Sequence, residues 1–302
     1  MHILVTTPTG HIGRRIVETL LPTEHRLTLF ARDPSRLPPD ARNGAHVVQG
    51  SLHEPERVLE ALEGADAAFF LIPPPAPDTP HWRRWQEETG NILAEAAARS
   101  GVARVVFLSS TGAQHDDIGA ISGLGAVERI LAATLPNVLS LRAGYFMENF
   151  IGSLPTVASP GAVFGVFDGD ARLPIVATSD IGDLAATWLG DGSWSGHHVI
   201  GSHGPSPISQ HDVATILGEV LGRAVGYVRI PPSALRDALL QAGLPPLIAH
   251  GYEEMMGGVS RHLDAGDYQS EPHTPQSTGV VDFRTFAEQV LRPAFEAQFA
   301  GA

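Results

Sequence analysis

Two glycines near the start of the chain have the spacing of a phosphate-binding turn. The segment Thr6–Gly13 reads Thr-Thr-Pro-Thr-Gly-His-Ile-Gly, follows an apolar run and precedes residues with helical spacing. Gly10 would let the backbone approach a pyrophosphate, and Gly13 would let the helix pack closely on the strand. The helix N-terminus would offer free N–H groups to the phosphates. The residues predicted to contact a dinucleotide are Thr7, Thr9, Gly10, His11, Ile12 and Gly13.

Two arginines after the second predicted strand could select the cofactor. Arg32 follows the predicted strand His25–Ala31, about 20 residues after the turn, where the group that reads the adenosine ribose belongs. A guanidinium fork matches a 2′-phosphate, whereas an acidic residue there would favour NAD. Asp33 follows directly, and we expect it to begin an Asp-Pro turn. Arg32 with Arg36 therefore predicts NADP, with NAD possible and a solvated arginine as the alternative.

Other candidates follow the fourth and fifth predicted strands. Ile72 and Pro73 end the fourth strand and Ser109 ends the fifth, which is where a nicotinamide ring would lie. The serine hydroxyl could instead cap a turn. His115, on the loop after the fifth strand, could reach the crevice as a proton donor, although a solvated surface position is the alternative.

An aromatic run after the sixth predicted strand could form a substrate wall. The alternative is that these side chains are core that joins two lobes. Tyr145 is the second candidate catalytic residue, beside His115. The residues predicted to bind substrate are Phe70, Tyr145, Phe146, Asn149 and Phe150.

The composition excludes several kinds of chemistry. All 20 basic residues are Arg, so Schiff-base catalysis, a P-loop lysine and a Tyr-x-x-x-Lys reductase pair are impossible. There is no Cys, and the 14 His residues are scattered without a His-Glu-x-x-His pattern, so we expect no metal site. The net charge of −13 argues against nucleic acid as a partner.

The sequence has no recognisable targeting or membrane segment. No basic and apolar leader opens it, and no apolar run approaches about 18 residues. We therefore expect a cytoplasmic protein, monomeric or homodimeric, that binds a small molecule and no membrane.

Strand and helix signals alternate through the first half of the chain. Near-continuous apolar runs such as Ala65–Ile72 are typical of parallel strands covered on both faces. Residues 1–150 therefore predict an α/β fold, a doubly wound parallel (Rossmann) sheet that binds NAD(P). Residues 151–302 predict a smaller C-terminal α/β lobe that binds substrate and does not fold independently. Within it, Ala162–Phe167 and Arg172–Ala177 resemble the two strands of a hairpin.

The segment Leu141–Phe150 reads Leu-Arg-Ala-Gly-Tyr-Phe-Met-Glu-Asn-Phe. With the Thr-Gly-x-x-Gly turn and the Arg32 region, it resembles the NmrA-like group of atypical short-chain dehydrogenases/reductases. The resemblance implies NAD(P) binding, and either quinone or dye reduction or redox sensing without turnover. Three positions depart from the family pattern, since Thr7 replaces a glycine, Ser51 an aspartate beside the adenine, and Leu124 a helix lysine.

Together these features predict an NADPH-dependent oxidoreductase. Its acceptor would be quinone-like, or a polycyclic aromatic or conjugated carbonyl compound. Such an acceptor yields a stabilised anion that water can protonate, so no Tyr–Lys pair is needed. The alternative is an NAD(P)-binding redox-sensing regulator without turnover.

Overall fold

The computed structural model describes residues 1–77, 79 and 81–299. Residues 300–302, the end of the predicted second lobe, lie outside the described residues. The strands are β1 (His2–Thr6), β2 (Arg26–Ala31), β3 (His46–Gln49), β4 (Ala67–Phe70), β5 (Arg104–Ser110), β6 (Val138–Ala143), β7 (Tyr145–Phe146), β8 (Ala162–Gly165), β9 (Ile175–Val176), β10 (His197–Ser202) and β11 (Gly226–Arg229).

Helices separate most of these strands. They are α1 (His11–Leu20), α2 (Pro39–Gly44), α3 (Pro55–Ala61), α4 (Trp82–Ser100), α5 (Ala120–Thr134), α6 (Leu154–Ala158), α7 (Thr178–Gly190), α8 (Gln210–Leu221), α9 (Pro232–Gln241), α10 (Pro246–Ala265), α11 (Phe283–Phe286) and α12 (Arg292–Phe299). Short 3₁₀ segments lie at Pro34–Arg36 and Met147–Ser153, and a π-helical turn at Ala287–Leu291 joins α11 to α12. None of the described helices is long and apolar enough to cross a membrane.

Seven strands form one parallel sheet in the order β10-β6-β5-β4-β1-β2-β3. Val5 of β1 lies opposite Leu29 of β2 on one side and Phe69 of β4 on the other. The strand order therefore reverses at β1, and the carboxyl ends of β1 and β4 flank a crevice of the kind that binds ligands in open α/β sheets. The predicted doubly wound parallel sheet is confirmed.

The sheet is buried on both faces, which explains the apolar runs in its strands. All five residues of β1 and all four of β4 are buried. One core contains side chains of α1 and α7 against one face of the sheet, and a second contains side chains of α3, α4 and α5 against the other. Each fully buried Leu, Val, Ile or Phe side chain contributes about 1.5–3 kcal/mol, so these two layers hold the strand ends in place.

The second half of the chain contributes both to the large sheet and to a smaller layer. Helix α7 packs on α1, and β10 extends the large sheet beyond β6. The smaller layer holds two parallel pairs, β8 with β11 and β7 with β9. A third core joins this layer to the carboxyl edge of the large sheet. The division at residue 150 stays a prediction.

The predicted hairpin between Ala162–Phe167 and Arg172–Ala177 is wrong. The first segment pairs with β11 and the second with β7, far away in the sequence. The turn between them is closed locally, because the Asp170 N–H donates to Asp168 Oδ1 at 2.9 Å, but it leads the chain away to a bridge with Ile208. Each predicted segment contains a strand, β8 or β9, but long-range packing chose the partners of these strands.

Candidate functional site

The turn between β1 and α1 has the close packing that its glycines predict. Gly10 is the N-cap of α1, and its N–H donates to the Thr7 carbonyl at 3.1 Å. A Cβ atom on Gly13 would lie 2.3 Å from that carbonyl oxygen, so only glycine lets the helix lie this close. The first N–H groups of an α-helix have no intrahelical partner, and Gly10, His11 and Ile12 at the start of α1 line the crevice. This arrangement fits a pyrophosphate.

Thr7 has an unusual backbone conformation in this turn. Its φ is +51°, the only positive φ of a non-glycine residue in the described part of the chain. A left-handed conformation costs a residue with a Cβ atom about 1–2 kcal/mol. The Thr7 hydroxyl is also buried without a hydrogen-bond partner among the described residues. Thr7 thus makes the turn that a glycine would make, at a cost in stability.

A cleft of about 1010 Å³ runs along the carboxyl edge of β1, β2 and β4. Its walls come from the β1–α1 turn, the ends of β2 and β3, the segment after β4, and the start of the second lobe. Its size lies at the upper end of ordinary ligand pockets. The predicted residues that line it are Thr7, Thr9, Gly10, His11, Ile12, Arg32, Arg36, Pro73, Phe146 and Asn149.

One end of this cleft carries two exposed arginines. Arg32 and Arg36 both line it, after β2. The Asp33 carboxylate between them accepts hydrogen bonds from the Ser35 hydroxyl at 2.6 Å and the Ser35 N–H at 3.0 Å. These hydrogen bonds lower the pKa of Asp33. They also hold its carboxylate in the Asp-Pro turn, as the sequence predicted. The cleft therefore presents guanidinium groups at the position where a ribose phosphate would lie.

The wall beside these arginines was not predicted. The rings of His53 and Trp85 stack with centroids 5.1 Å apart. His53 lies on the loop after β3, and Trp85 lies on α4. Because the loop after a parallel strand lies at the carboxyl edge of the sheet, the position of His53 in the sequence could have indicated its place in the cleft. The lining residues that sequence reasoning did not assign to the site are Phe30, Ala31, Gly50, Leu52, His53, Pro74, Ala76, Trp85, Glu148 and Thr178.

A second, smaller cavity adjoins the cleft. It has a volume of about 180 Å³ and shares Phe146 and Asn149 with the cleft. None of its lining residues is acidic or basic among the described residues. Its walls, here called the aromatic pocket, are Ser110, Ile121, Ala143, Gly144, Tyr145, Phe146, Asn149, Phe167, Leu173, Pro174, Tyr252, Met255, Met256, Val259 and Tyr268.

Tyr145 is a neutral hydrogen-bonding group in this pocket. Its ring packs edge-to-face on Phe150 and Phe167, with centroids 5.7 and 6.1 Å away. Burial raises the pKa of its hydroxyl further above the ordinary value, although contact with Asn149 acts the other way. The phenol therefore stays protonated at neutral pH and can donate a hydrogen bond.

Several predicted residues do not line either cavity. Phe70 is fully buried and packs with Leu4 and Phe107, because alternate residues of a strand face opposite sides of the sheet. Phe150 is buried against Phe283, with centroids 5.1 Å apart. The remaining residues outside the two linings are Gly13, Ile72, Ser109 and His115.

Two of these residues have informative surroundings. The Ser109 hydroxyl is buried without a partner among the described residues, so it satisfies no cap and is not exposed to a ligand. The His115 ring lies against His262, with centroids 4.0 Å apart. Neither observation supports a role in the crevice, and both assignments stay predictions.

A largely buried ion triad lies near the aromatic pocket. Arg142 of β6 donates to both Glu128 oxygens at 2.9 and 2.7 Å, and to Glu271 Oε1 at 2.8 Å. Burial alone would lower the pKa of Arg142, but the hydrogen bonds and charges of the two carboxylates outweigh it and raise that pKa. Glu271 follows Tyr268 by three residues, so the triad ties that part of the pocket wall to the sheet.

Two curated relatives are reductases. The chain is 29% identical over 254 residues to (4-alkanoyl-5-oxo-2,5-dihydrofuran-3-yl)methyl phosphate reductase from Streptomyces griseus, which covers 83% of this chain and 84% of that protein. It is 26% identical over 303 residues to NAD(P)H azoreductase from Xenophilus azovorans, which covers 99% of this chain and 100% of that protein.

Two solved structures share the fold. The NADPH-dependent quinone oxidoreductase of Escherichia coli, complexed with NADPH, has a TM-score of 0.79 at 20% identity, over 96% of this chain and 100% of that one. The negative transcriptional regulator NmrA, in complex with NADP, has a TM-score of 0.74 at 21% identity, over 99% of this chain and 97% of that one. Because an enzyme and a regulator share this fold, the fold does not by itself choose between their functions.

The family assignment covers both cavities. A profile of the NmrA-like family matches residues 1–283. This range includes every residue that lines the cleft and the aromatic pocket, and it confirms the resemblance seen in the sequence. The chain belongs to the NmrA-like family.

Proposed function

We propose that this protein is an NADPH-dependent reductase that transfers a hydride to a neutral, planar quinone-like or conjugated carbonyl acceptor. The observation that carries this proposal is the junction of two cavities. The cleft at the glycine turn adjoins the aromatic pocket, because Phe146 and Asn149 line both. A cofactor that follows the cleft would end where an acceptor in the pocket begins.

The residues of the cleft fit NADPH. The N-terminus of α1 offers N–H groups to a pyrophosphate. Gly13 packs so closely on Thr7 that the turn between β1 and α1 has no room for a side chain at position 13. Arg32 and Arg36 form no ion pair with any other described residue, and the Asp33 carboxylate between them accepts hydrogen bonds from Ser35, so both guanidinium groups could bind a 2′-phosphate. Both solved neighbours described above hold NADPH or NADP, which further supports NADP over NAD.

When bound, the nicotinamide supplies the hydride, and the protein contributes orientation and exclusion of water. Phe146 would separate the two cavities and hold the acceptor against the nicotinamide face. The Tyr145 hydroxyl and the Asn149 amide can donate hydrogen bonds to an acceptor oxygen. Because the sequence has no lysine, no Tyr–Lys pair delivers a proton, and water protonates the reduced product.

The character of the pocket supports the choice of acceptor. Its described lining is apolar and aromatic, and its polar groups are neutral hydroxyls and one amide. Such a surface favours a flat, uncharged ring system, because burying an unpaired charge there would be costly. The second lobe supplies Phe167, Tyr252 and Tyr268 to this wall, which supports the assignment of residues 151–302 to substrate binding. The relatives named for azo and quinone reduction agree with this class.

Acceptor-dependent oxidation of NADPH tests the proposal. Purified protein would be mixed with NADPH and a neutral naphthoquinone, and with the sulfonated analogue as a matched charged acceptor. We expect faster loss of NADPH absorbance with the neutral quinone, and weaker activity with NADH. NADPH oxidation that no neutral quinone or azo dye accelerates would contradict the proposal.

A redox-sensing regulator is the second candidate, since the regulator NmrA shares the fold. In that case the cleft would bind the cofactor, and the second lobe would transmit its redox state. A ligand shifts a conformational equilibrium only through unequal affinity for two states. Unequal binding of NADP⁺ and NADPH, together with no turnover, would favour the regulator over the reductase.

A further inference from the structure

Histidine and aspartate side chains meet outside both cavities. The group consists of His115 and Asp117 on the loop between β5 and α5, and His262 and Asp267 at the end of α10, and is here called the histidine–aspartate cluster. One potential ligand atom from each of His115, Asp117 and His262 lies within 4.8 Å of the other two. Three ligands at this spacing can surround one metal ion.

Both ring nitrogens of His262 lie at hydrogen-bond distance from a carboxylate. Its Nδ1 lies 2.7 Å from Asp267 Oδ1, and its Nε2 lies 2.8 Å from Asp117 Oδ1. A histidine that binds a metal through one nitrogen usually donates its other N–H to a carboxylate, which fixes the tautomer and the ring orientation. With the proton on Nδ1 facing Asp267, Nε2 would present its lone pair beside Asp117.

His115 brings a second imidazole to the same place. Its ring centroid lies 4.0 Å from that of His262. Its Nε2 atom is buried without a hydrogen-bond partner in the described part of the chain, which is unfavourable for a polar atom. A cation shared by the two imidazoles would give this buried nitrogen a partner.

Arg261 is the competing cation in this region. It donates to Asp117 Oδ2 at 3.2 Å and to the Asp117 carbonyl at 3.0 Å. The side-chain bond uses Oδ2, whereas Oδ1 is the oxygen that lies beside His262 Nε2. The Arg261 side chain is 62% exposed, so its pairing is a weak surface interaction and does not block the cluster.

We propose that His115, Asp117 and His262 bind a divalent transition-metal ion, with zinc as the best chemical match and water as the fourth ligand. Two imidazoles and one carboxylate suit zinc, whereas magnesium and calcium prefer oxygen ligands alone. Asp267 orients His262. The metal would fasten the β5–α5 loop to α10. Tyr268, which lines the aromatic pocket, stacks on His115 and donates to the Thr111 carbonyl at 3.0 Å, so the bound metal would stiffen that wall.

Metal titration of chelator-treated, tag-free protein tests the site. Zinc binding would be measured by calorimetry, and cobalt(II) would report the coordination geometry through its visible absorption. We expect one zinc per chain in the wild type. His262→Ala and Asp117→Asn should abolish saturable binding, and Asp267→Asn should weaken it by about 10–100-fold. His250→Ala is the matched control on the same helix, at an exposed histidine, and should bind zinc like the wild type.

Circular dichroism of each variant separates loss of a ligand from loss of the fold. A variant with wild-type helix content that no longer binds zinc supports the site. Should His262→Ala fail to fold, Asp117→Asn, whose side chain is 59% exposed, decides the question. No saturable zinc binding by the wild type, or equal affinity in all the variants, would overturn the proposal.

Discussion

The cleft and the aromatic pocket share two lining residues but are assembled in different ways. Most of the cleft comes from short segments that each follow a strand of the large sheet, so its residues are fixed by β1, β2, β3 and β4. The pocket draws on residues from 110 to 268 and depends on α10 and the segment after it. The cleft is a property of the sheet, whereas the pocket is a property of how the second lobe packs.

If the cleft binds the cofactor and the pocket binds the acceptor, as proposed, this difference should make the two properties separable. Damage to the glycine turn should affect the cofactor first, and damage to the packing of the second lobe should affect the pocket first. Changes in each region can therefore test whether the two properties are separable.

We expect the largest loss of stability from Arg142→Met, which changes a residue near the aromatic pocket. The substitution leaves Glu128 and Glu271 buried without their cation, which should cost about 3–5 kcal/mol of unfolding free energy. Arg129→Met, which removes an exposed pair with Asp116, is the control and should cost less than about 1 kcal/mol. Urea unfolding measures both variants, and equal losses would show that the triad does not hold the wall.

The second effect is a pH dependence at His203, which lies after β10 and is 0% exposed. Burial, with the nearby His273, lowers its pKa to about 4. The unfolded chain takes up this proton near pH 6.5, whereas the folded chain does not until about pH 4. Stability should therefore fall by about 3 kcal/mol as the pH drops through that range.

The variant His203→Leu should remove most of that slope in unfolding experiments between pH 4 and 6.5. His46→Leu applies the same change to an exposed histidine and should keep the wild-type slope. If His203→Leu also keeps it, His203 is not the group that titrates. The His203 N–H donates to the Ser277 carbonyl, and the His203 carbonyl accepts from the Gly279 N–H. The pH dependence therefore reports on the segment after α10, which also carries Tyr268.

The next effect lies on the cleft side, at Gly13→Ala. The new Cβ atom would lie 2.3 Å from a backbone oxygen, and the forced shift of the helix should cost about 2 kcal/mol. Gly10→Ala adds a Cβ that meets the same oxygen at an ordinary 3.6 Å. We expect Gly10→Ala to keep the melting temperature but to weaken NADPH binding. Equal melting temperatures of the two variants would show that Gly13 does not pack tightly on the Thr7 carbonyl.

A smaller effect should follow from Arg32→Ala. One charge-assisted contact to the 2′-phosphate would be lost while Arg36 remains, so NADPH affinity should fall about tenfold, or about 1.4 kcal/mol. NADH lacks that phosphate and should bind unchanged. Calorimetry with both cofactors measures the difference, and equal losses would remove the proposed role of Arg32 in choosing NADP.

The smallest effect should come from Tyr145→Phe. The ring keeps its packing on Phe150 and Phe167, and only the hydroxyl is lost. One neutral hydrogen bond is worth about 1 kcal/mol, so kcat with a quinone should fall about fivefold while the Kd for NADPH stays constant. A large change in NADPH affinity would show that the cleft and the pocket are not separable.

The same contrast explains what the sequence could predict. The sheet and most of the cleft were predictable, because each signal is local and the parallel topology brings strand ends together. Thr7 was recognised as a departure from the family pattern. That it adopts the left-handed conformation of a glycine depends on the packing of α1 and could only be seen in the structure.

The pocket was predicted less well, because its contacts join distant segments. Tyr145 and Phe146 were found through a sequence motif, but Tyr252 and Tyr268 reach the same wall from α10 and the segment beyond it. The hairpin error has the same origin, since β8 pairs with β11 more than 60 residues later. His115 and His262 likewise meet across 147 positions, so no short metal-binding motif could reveal their cluster.

Single-turnover transfer from the cofactor to a neutral quinone tests the central claim most directly. NADPH deuterated on the transferred face of the nicotinamide would be bound to the protein under anaerobic conditions and mixed rapidly with the quinone. If the cleft delivers a hydride into the aromatic pocket, oxidation will depend on the quinone and will be slower with deuterium than with hydrogen. Bound NADPH that the quinone fails to oxidise would contradict the claim.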